Sequence, residues 1–503
     1  MNRGEYPLNR NKKLKLNTIV GFLSQVTTFI CGFIIPYIIL KYYGSEINGL
    51  IASITNFLSF ISLAECGIGV VVQSSLYKPL ADNDEDQISR IIISANRFFS
   101  KIGVLLALYV CFISIVYPFI IGGKYKFTYV STLVIILSIS TFIEYYICMS
   151  YRLLITADQS VYIILILQIV TQILITLISV LMSTMGASIH VFKLCTSLIL
   201  FIRPIFLAIY VKKHYAINYH LELVEEPIKQ KWNGLAQHAA YVVLTNTDTV
   251  VLTLFSTLAN VSIYNVYFLV VNGIKMVISS LIIGMQSLLG NMYAKQETET
   301  LISTFSIYEW AMHAGVTFLF ACTCVLIVPF VNVYTYGIND ANYNVPLFGL
   351  LISLAQMAYC IRLPYNAMVF AAGHYKQTQN SAIVEAVVNI VISIVFVSKF
   401  GLVGVAVGTL VAMVYRTVYL AVYLQNNIIY RNIKHFIKHV IVDCVVIILS
   451  ILITRIFELN DISYIGWTIL AIKVALVICA ITLIANFVIY PHYSKSVIKK
   501  FIK

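Results

Sequence analysis

Charge is what this sequence has least of: Asp, Glu, Lys and Arg together make up 11% of its 503 residues, against 60% for the hydrophobic set. Soluble domains carry about 25% charged residues, so a chain with a mean hydropathy of +0.89 does not have water as its main solvent. Long polar stretches are missing as well, which excludes a separate soluble domain. The longest outward loops, around 335–344, offer only Asp340. That is too little to equip a membrane-embedded polysaccharide polymerase or a glycosyltransferase, so no catalytic residue is nominated and an enzyme is not expected. The ten cysteines are scattered, with Cys322 and Cys324 the only close pair and no C-x-x-C, which leaves them as small apolar fillers rather than a redox or zinc motif. His435 and His439 have the i, i+4 spacing of a metal pair, but Lys434 and Lys438 flank them and no third ligand accompanies them. They read as interfacial polar residues, and neither a metal nor a cofactor is expected.

What is present is a succession of apolar runs, many of about 20 residues, the length that crosses about 30 Å of hydrocarbon as a helix. Breaks at charge, glycine and proline clusters place spans near 17–40, 47–73, 98–121, 127–150, 160–184, 186–211, 233–258, 262–292, 305–333, 345–371, 378–398, 401–425, 437–457 and 463–490. The expected fold is all-α: a polytopic membrane protein of about 14 transmembrane helices. The pairs 160–211 and 378–425 are each open to reading as one long span. Lys and Arg test the topology, because basic loops stay cytoplasmic. They gather on alternate connections, from Arg3 to Lys15, Arg90 to Lys101, Lys229 to Lys231, Arg431 to Lys438 and Lys495 to Lys503, leaving Lys41, Lys124, Lys126, Lys399 and Arg455 outside. Both termini are therefore expected in the cytoplasm. The net charge of +13 reads as a basic inner face drawn to anionic membrane lipids, not as a nucleic-acid footprint. The first apolar run is too long for the h-region of a cleaved leader, so none is expected.

Comparing the chain with itself at an offset of about 214 residues gives matches in register. Arg203-Pro-Ile-Phe-Leu-Ala-Ile-Tyr210 lies over Arg416-Thr-Val-Tyr-Leu-Ala-Val-Tyr423, and Gln168, Gln172 and Thr176 over Glu385, Asn389 and Ser393. Asn17 and Asn233 open the first and seventh spans, and Ile88-Ser89 and Ile302-Ser303 enter the third and ninth. The unit holds an even number of spans, so its two copies face the same way and are expected to enclose a cavity that opens to either side. The domains follow: a cytoplasmic segment 1–16, a first six-helix lobe 17–211, a cytoplasmic linker 212–232, a second six-helix lobe 233–425, two further helices within 437–490, and a basic cytoplasmic tail 491–503.

An ionised side chain at mid-membrane costs roughly 2.5–3.5 kcal/mol on insertion scales, so buried charges face a wet cavity or one another. Glu65, Glu144, Lys193, Asp248, Lys275, Arg362, Glu385, Arg416 and Lys473 all fall inside expected spans. Lys275, Arg362 and Arg416, with Arg203, are read as a cationic cavity for an anionic head group, since phosphate suits arginine forks and lysine point charges. For Arg203 and Arg416 the alternative is snorkelling to the cytoplasmic interface, and for Asp248 and Lys275 it is an ion pair with each other. Asp248, Glu385 and Asn389 form a candidate oxygen site for a coupling Na⁺ or H⁺. Glu65 and Glu144 remain intramembrane acids without an assigned role. Pro36, Pro204, Pro329 and Pro364 fall within spans and favour kinks, and Gly404 and Gly408 make a G-x-x-x-G face for close helix contact.

Several of these segments resemble a known family. The span from Asn17 to Tyr43 leading into Tyr43-Gly-Ser-Glu-Ile-Asn-Gly-Leu50, the Glu65-Cys-Gly-Ile-Gly69 step, Asn246-Thr-Asp248 and Ile263-Tyr-Asn265 look like the Wzx-type polysaccharide flippases of the multidrug, oligosaccharidyl-lipid and polysaccharide exporter superfamily. Glu65 stands where related proteins often carry Asp. The resemblance implies two six-helix lobes, often with two extra helices. It also implies transfer of an undecaprenyl-pyrophosphate-linked oligosaccharide from the cytoplasmic to the outer leaflet by alternating access, in the bacterial inner membrane. Glycosyltransferases and a glycan polymerase are the expected partners. The competing reading is a cation-coupled drug exporter, in whose chamber acids should dominate, whereas here Lys and Arg are as frequent as acids inside the spans.

Overall fold

The computed structural model describes residues 10–65, 68–221, 235–280 and 282–493, and every regular element among them is a helix. Compact units divide the chain at Asn246 and Thr247. The first unit contains α1 (Arg10–Tyr43), α2 (Ser45–Ser59), α3 (Ser62–Glu65), α4 (Ile68–Asp82), α5 (Glu85–Ile120), α6 (Phe127–Phe142), α7 (Met149–Ala157), α8 (Val161–Thr184), α9 (Ile189–Ile199) and α10 (Ile202–His214). A π-helical turn, Ile143–Cys148, joins α6 to α7. α1 packs on α8, α6 on α5 and α9, and α4 on α5 and α7. The division falls inside α11 (Leu235–Phe255).

The second unit continues with α12 (Leu258–Ser280), α13 (Ile282–Ala294), α14 (Thr298–Tyr334), α15 (Pro346–Ile361), α16 (Leu363–Ala371), α17 (Tyr375–Phe400), α18 (Leu402–Asn427), α19 (Lys434–Thr454) and α20 (Tyr464–Ile489). α17 and α18 form the most intimate pair; α15 packs on α18, α14 and α12. The last two helices, outside the sequence repeat, lie against each other and against α14.

Among the described residues, all fourteen expected passages are helical, and twelve helical segments are long and apolar enough to cross a membrane. The fourth and seventh passages fall short for different reasons. α6 runs only 16 residues before the π turn takes over, and α11 is diluted by the polar run Thr245-Asn-Thr-Asp-Thr249. The two ambiguous pairs are resolved as separate helices: Gly186 (φ 69°) and Gly401 (φ 52°) hold the left-handed backbone at the breaks, a conformation that costs other residues a Cβ clash.

Local chemistry sets the remaining boundaries. Asp84 caps α5 by accepting from Gln87 N, and Ser463 caps α20 by accepting from Gly466 N. Pro36 and Pro329 lie inside α1 and α14 as expected, whereas Pro204 and Pro364 sit in the first turns of α10 and α16, where the missing N–H has no helical acceptor to satisfy. The outside of each bundle is apolar: Leu108, Leu177, Leu476 and Val488 are more than half exposed. A helix that is apolar on its exposed face is suited to lipid contact.

Candidate functional site

The closest helix contact in the second unit positions one polar cluster. A Cβ added to Gly404 would stand 2.5 Å from the Phe396 carbonyl carbon and oxygen, and one on Gly408 would meet Ser393 N at 2.8 Å. The expected small-residue face of α18 is thus filled by α17 backbone. This approach brings Asn389 of α17 and Thr409 of α18 onto Asp248 of α11. Thr409 donates to Asp248 Oδ2 at 2.6 Å, Tyr264 donates to the same oxygen at 2.9 Å, and Asn389 Nδ2 reaches Oδ1 at 3.2 Å. Asp248 is 3% exposed and Asn389 fully buried. The Asn389 amide oxygen has no hydrogen-bond partner among the described residues, and the Val405 carbonyl lies 3.1 Å from the Thr409 hydroxyl. A carboxylate, a hydroxyl, a carbonyl and an unsatisfied amide oxygen are the donor types that a hard monovalent cation takes. A lone carboxylate among them is equally suited to a proton.

Glu385, expected in the same acid site, stands elsewhere. It lies one helical turn before Asn389 on α17 and pairs with two arginines. Its Oε1 accepts from Arg362, at the junction of α15 and α16, and its Oε2 lies 3.5 Å from Arg416 Nη1. All three are buried. Arg416 therefore does not snorkel, and its Nε is buried without a partner among the described residues. Lys275 of α12 joins this cluster through an aromatic ring: its ammonium lies 3.9 Å from the centroid of Tyr359, whose ring also carries the Arg362 guanidinium at 4.4 Å. Asp248 and Lys275 do not pair with each other. The three cations nominated in the second lobe thus meet around Tyr359 and Glu385, and Asp248 and Asn389 form a separate centre.

Arg203, the remaining nominated cation, belongs to the first unit. Its Nε donates to Thr171 of α8 at 2.9 Å, and it lines a cavity of about 540 Å³ with Arg152, Gln168, Thr55, Ser59 and Ser140. The sequence repeat is echoed here, since Arg203 reaches from the sixth span to the fifth as Arg416 does from the twelfth to the eleventh. Glu65 ends α3, and the side chain of Glu144 lies outside the described residues.

One ionisable cluster was not nominated as a site, and His439, read from the sequence as interfacial, is buried within it. Glu309 and His313 on α14, Tyr365 on α16, and Asp443 and His439 on α19 are buried together, and the half-buried Arg431 before α19 pairs with Glu309. Glu309, His313 and Asp443 lie inside expected spans at positions where an ionisable side chain is itself a signal, and Glu309 and His313 have the i, i+4 spacing of one helix face.

No protein-family model matches the sequence, and no curated protein matches it. Among solved structures, the chain is similar to the lipid II flippase MurJ in an inward closed conformation, with a TM-score of 0.69 at 15% identity over 95% of this chain and 99% of that one. It is similar to an inward-facing multidrug resistance MATE family transporter of the MOP superfamily, with a TM-score of 0.61 at 15% identity over 80% of this chain and 95% of that one. A MOP superfamily transporter from Pyrococcus furiosus gives a TM-score of 0.51 at 12% identity over 81% and 96% of the two chains. At such identities the likeness is one of fold and does not reach the Wzx type. The likeness nevertheless spans 80–95% of this chain, and the protein has the all-helical fold of those solved structures.

Proposed function

We propose that the protein flips a polyprenyl-pyrophosphate-linked oligosaccharide from the cytoplasmic to the outer leaflet of a bacterial inner membrane, by alternating access, for the assembly of a cell-surface polysaccharide. The observation that carries this reading is the charge imbalance around Tyr359, where, among the described residues, Lys275, Arg362 and Arg416 face Glu385 alone. Two positive charges left over in a low-dielectric setting favour an anionic partner. A pyrophosphate supplies that charge, together with acceptors for the unpaired Arg416 Nε and the Lys275 ammonium. The fold likeness to a lipid II flippase supports the same class of cargo. Glycosyltransferases that build the lipid-linked glycan and a polymerase that consumes it are the partners this reading requires.

Transport is driven by a Na⁺ or H⁺ gradient acting at Asp248, with Asn389, Thr409 and the Val405 carbonyl as the surrounding oxygens. Glu385 sets the position of the two arginines and takes no part in ion binding. A cation-coupled small-molecule exporter is the second reading; it draws on the likeness to MATE transporters and uses the same Asp248 centre. Lys275 distinguishes the two. Loss of one charge-assisted contact is worth about 1.5–3 kcal/mol, or roughly a tenfold loss or more. Lys275→Ala is therefore expected to reduce surface-glycan assembly at least that far at equal protein level, with Lys275→Arg retaining it. Undiminished glycan assembly in Lys275→Ala removes the cationic-cluster reading.

A further inference from the structure

The cluster shared by α14, α16 and α19 takes no part in the flippase reading, and its hydrogen bonds fix where its protons lie. The Tyr365 hydroxyl has one hydrogen and gives it to Glu309 Oε1 at 2.7 Å. Its oxygen is therefore an acceptor toward His313 Nε2, 3.0 Å away. Asp443 Oδ2 lies 2.5 Å from His313 Nδ1, and Asp443 Oδ1 takes the Thr317 hydroxyl at 2.7 Å. With Glu309 and Asp443 ionised, both ring nitrogens of His313 face acceptors and both must donate, which only an imidazolium can do.

Charge balance leads to the same place. Glu309 and Asp443 bring two negative charges and Arg431, on Glu309 Oε2, brings one positive charge. A proton on His313 makes the set neutral. Glu309 is fully buried, His313 is 2% exposed and Asp443 5%, so an unbalanced charge here is costly. The other titratable groups around the ring do not supply that balance. His439 stacks on His313 with centroids 4.8 Å apart, and its Nε2 is 3.9 Å from Glu309 Oε2, beyond hydrogen-bond range. Two stacked imidazolium rings repel, so the pair holds one proton. Tyr490, at the end of α20, covers the other face of His439. His435 and Lys438, also on α19, are cationic or neutral neighbours that add no negative charge.

We infer that His313 is a proton-binding site, separate from Asp248, whose occupancy holds the penultimate helix α19 on α14. Release of the proton leaves one of its two ring contacts without a donor and the buried set with an excess negative charge. The α14–α19 contact is then the one that weakens. The inference stands on this cluster alone and does not depend on the identity of the cargo.

The test uses the full chain in lipid nanodiscs with ¹⁵N-labelled histidine, the His313 resonances being those absent in His313→Gln. Both ring nitrogens of His313 should be protonated at neutral pH. In Asp443→Asn the imidazolium signal should be lost at lower pH than in the wild type. A neutral His313 throughout about pH 5 to 8, or an Asp443→Asn variant that titrates as the wild type does, overturns the inference. A second readout needs no histidine variant. Trp310, on α14, donates to Asn486 of α20 at 2.8 Å, and in a Trp232→Phe/Trp467→Phe background its fluorescence should shift over the pH interval in which His313 loses its proton. A Trp310 signal unmoved through that interval contradicts control of helix docking.

Discussion

Replacing Glu385 by Gln keeps the side chain's shape and removes the carboxylate that pairs with both Arg362 and Arg416. Glu385 is 3% exposed, Arg362 7% and Arg416 6%, so neither guanidinium regains water when its partner goes. Removing one member of a buried ion pair costs about 3–5 kcal/mol, against about 0–1 kcal/mol for an exposed pair. Here one carboxylate serves two arginines, which places the expectation within the larger range. At 1.4 kcal/mol per decade, about 3 kcal/mol is more than a hundredfold in the folded-to-unfolded ratio. The assay is reversible denaturation in mixed micelles, with the double variant Glu385→Gln/Arg416→Met beside the single one. The double variant should recover part of the loss, because it withdraws one of the two charges left unpaired. If Glu385→Gln lies within about 0.5 kcal/mol of the wild type, Glu385 does not compensate buried arginines and the charge balance drawn around Tyr359 is wrong.

Three further outcomes follow from the same geometry. Asp248→Asn should abolish the dependence of transport on a Na⁺ or H⁺ gradient in vesicles, whereas Glu385→Gln, at matched amounts of folded protein, should keep it; gradient dependence unchanged in Asp248→Asn discards the ion site. Gly404→Ala places a methyl 2.5 Å from the Phe396 backbone and should cost about 1–3 kcal/mol through overpacking, read as reduced stability in micelles. Because that strain acts on the contact that holds Asn389 beside Asp248, the Gly404→Ala protein should also need a steeper ion gradient for the same transport rate.

The bundle was legible because hydrocarbon imposes a simple rule: each passage must be helical and mostly apolar, so runs such as 160–184 and 463–490 mark α8 and α20 closely. Breaks inside passages were less legible. Among the described residues, the second expected span breaks between α2 and α3, and the tenth divides at Arg362 into α15 and α16; proline at 364 signals the second break, but nothing comparable marks the first. The G-x-x-x-G face was read correctly because small side chains report backbone approach directly. Charge partners were not, since pairing depends on which helices become neighbours. Glu385 and Asn389 share a helix stripe yet serve different centres, because the arginines and Asp248 reach α17 at different heights. Glu309, His313 and Asp443 were passed over although all three lie in apolar runs. Their shared role appears only when α14 and α19, far apart in sequence, are brought together.

The most direct test is reconstitution of the purified protein into liposomes carrying a polyprenyl-pyrophosphate oligosaccharide with a fluorescent sugar, followed by quenching from outside under an imposed Na⁺ or H⁺ gradient. The glycan should change leaflet faster than in protein-free vesicles, and Lys275→Ala should slow it. A leaflet distribution no different from protein-free vesicles, in preparations that export a small cationic dye under the same gradient, would contradict the lipid-linked cargo and favour the small-molecule exporter.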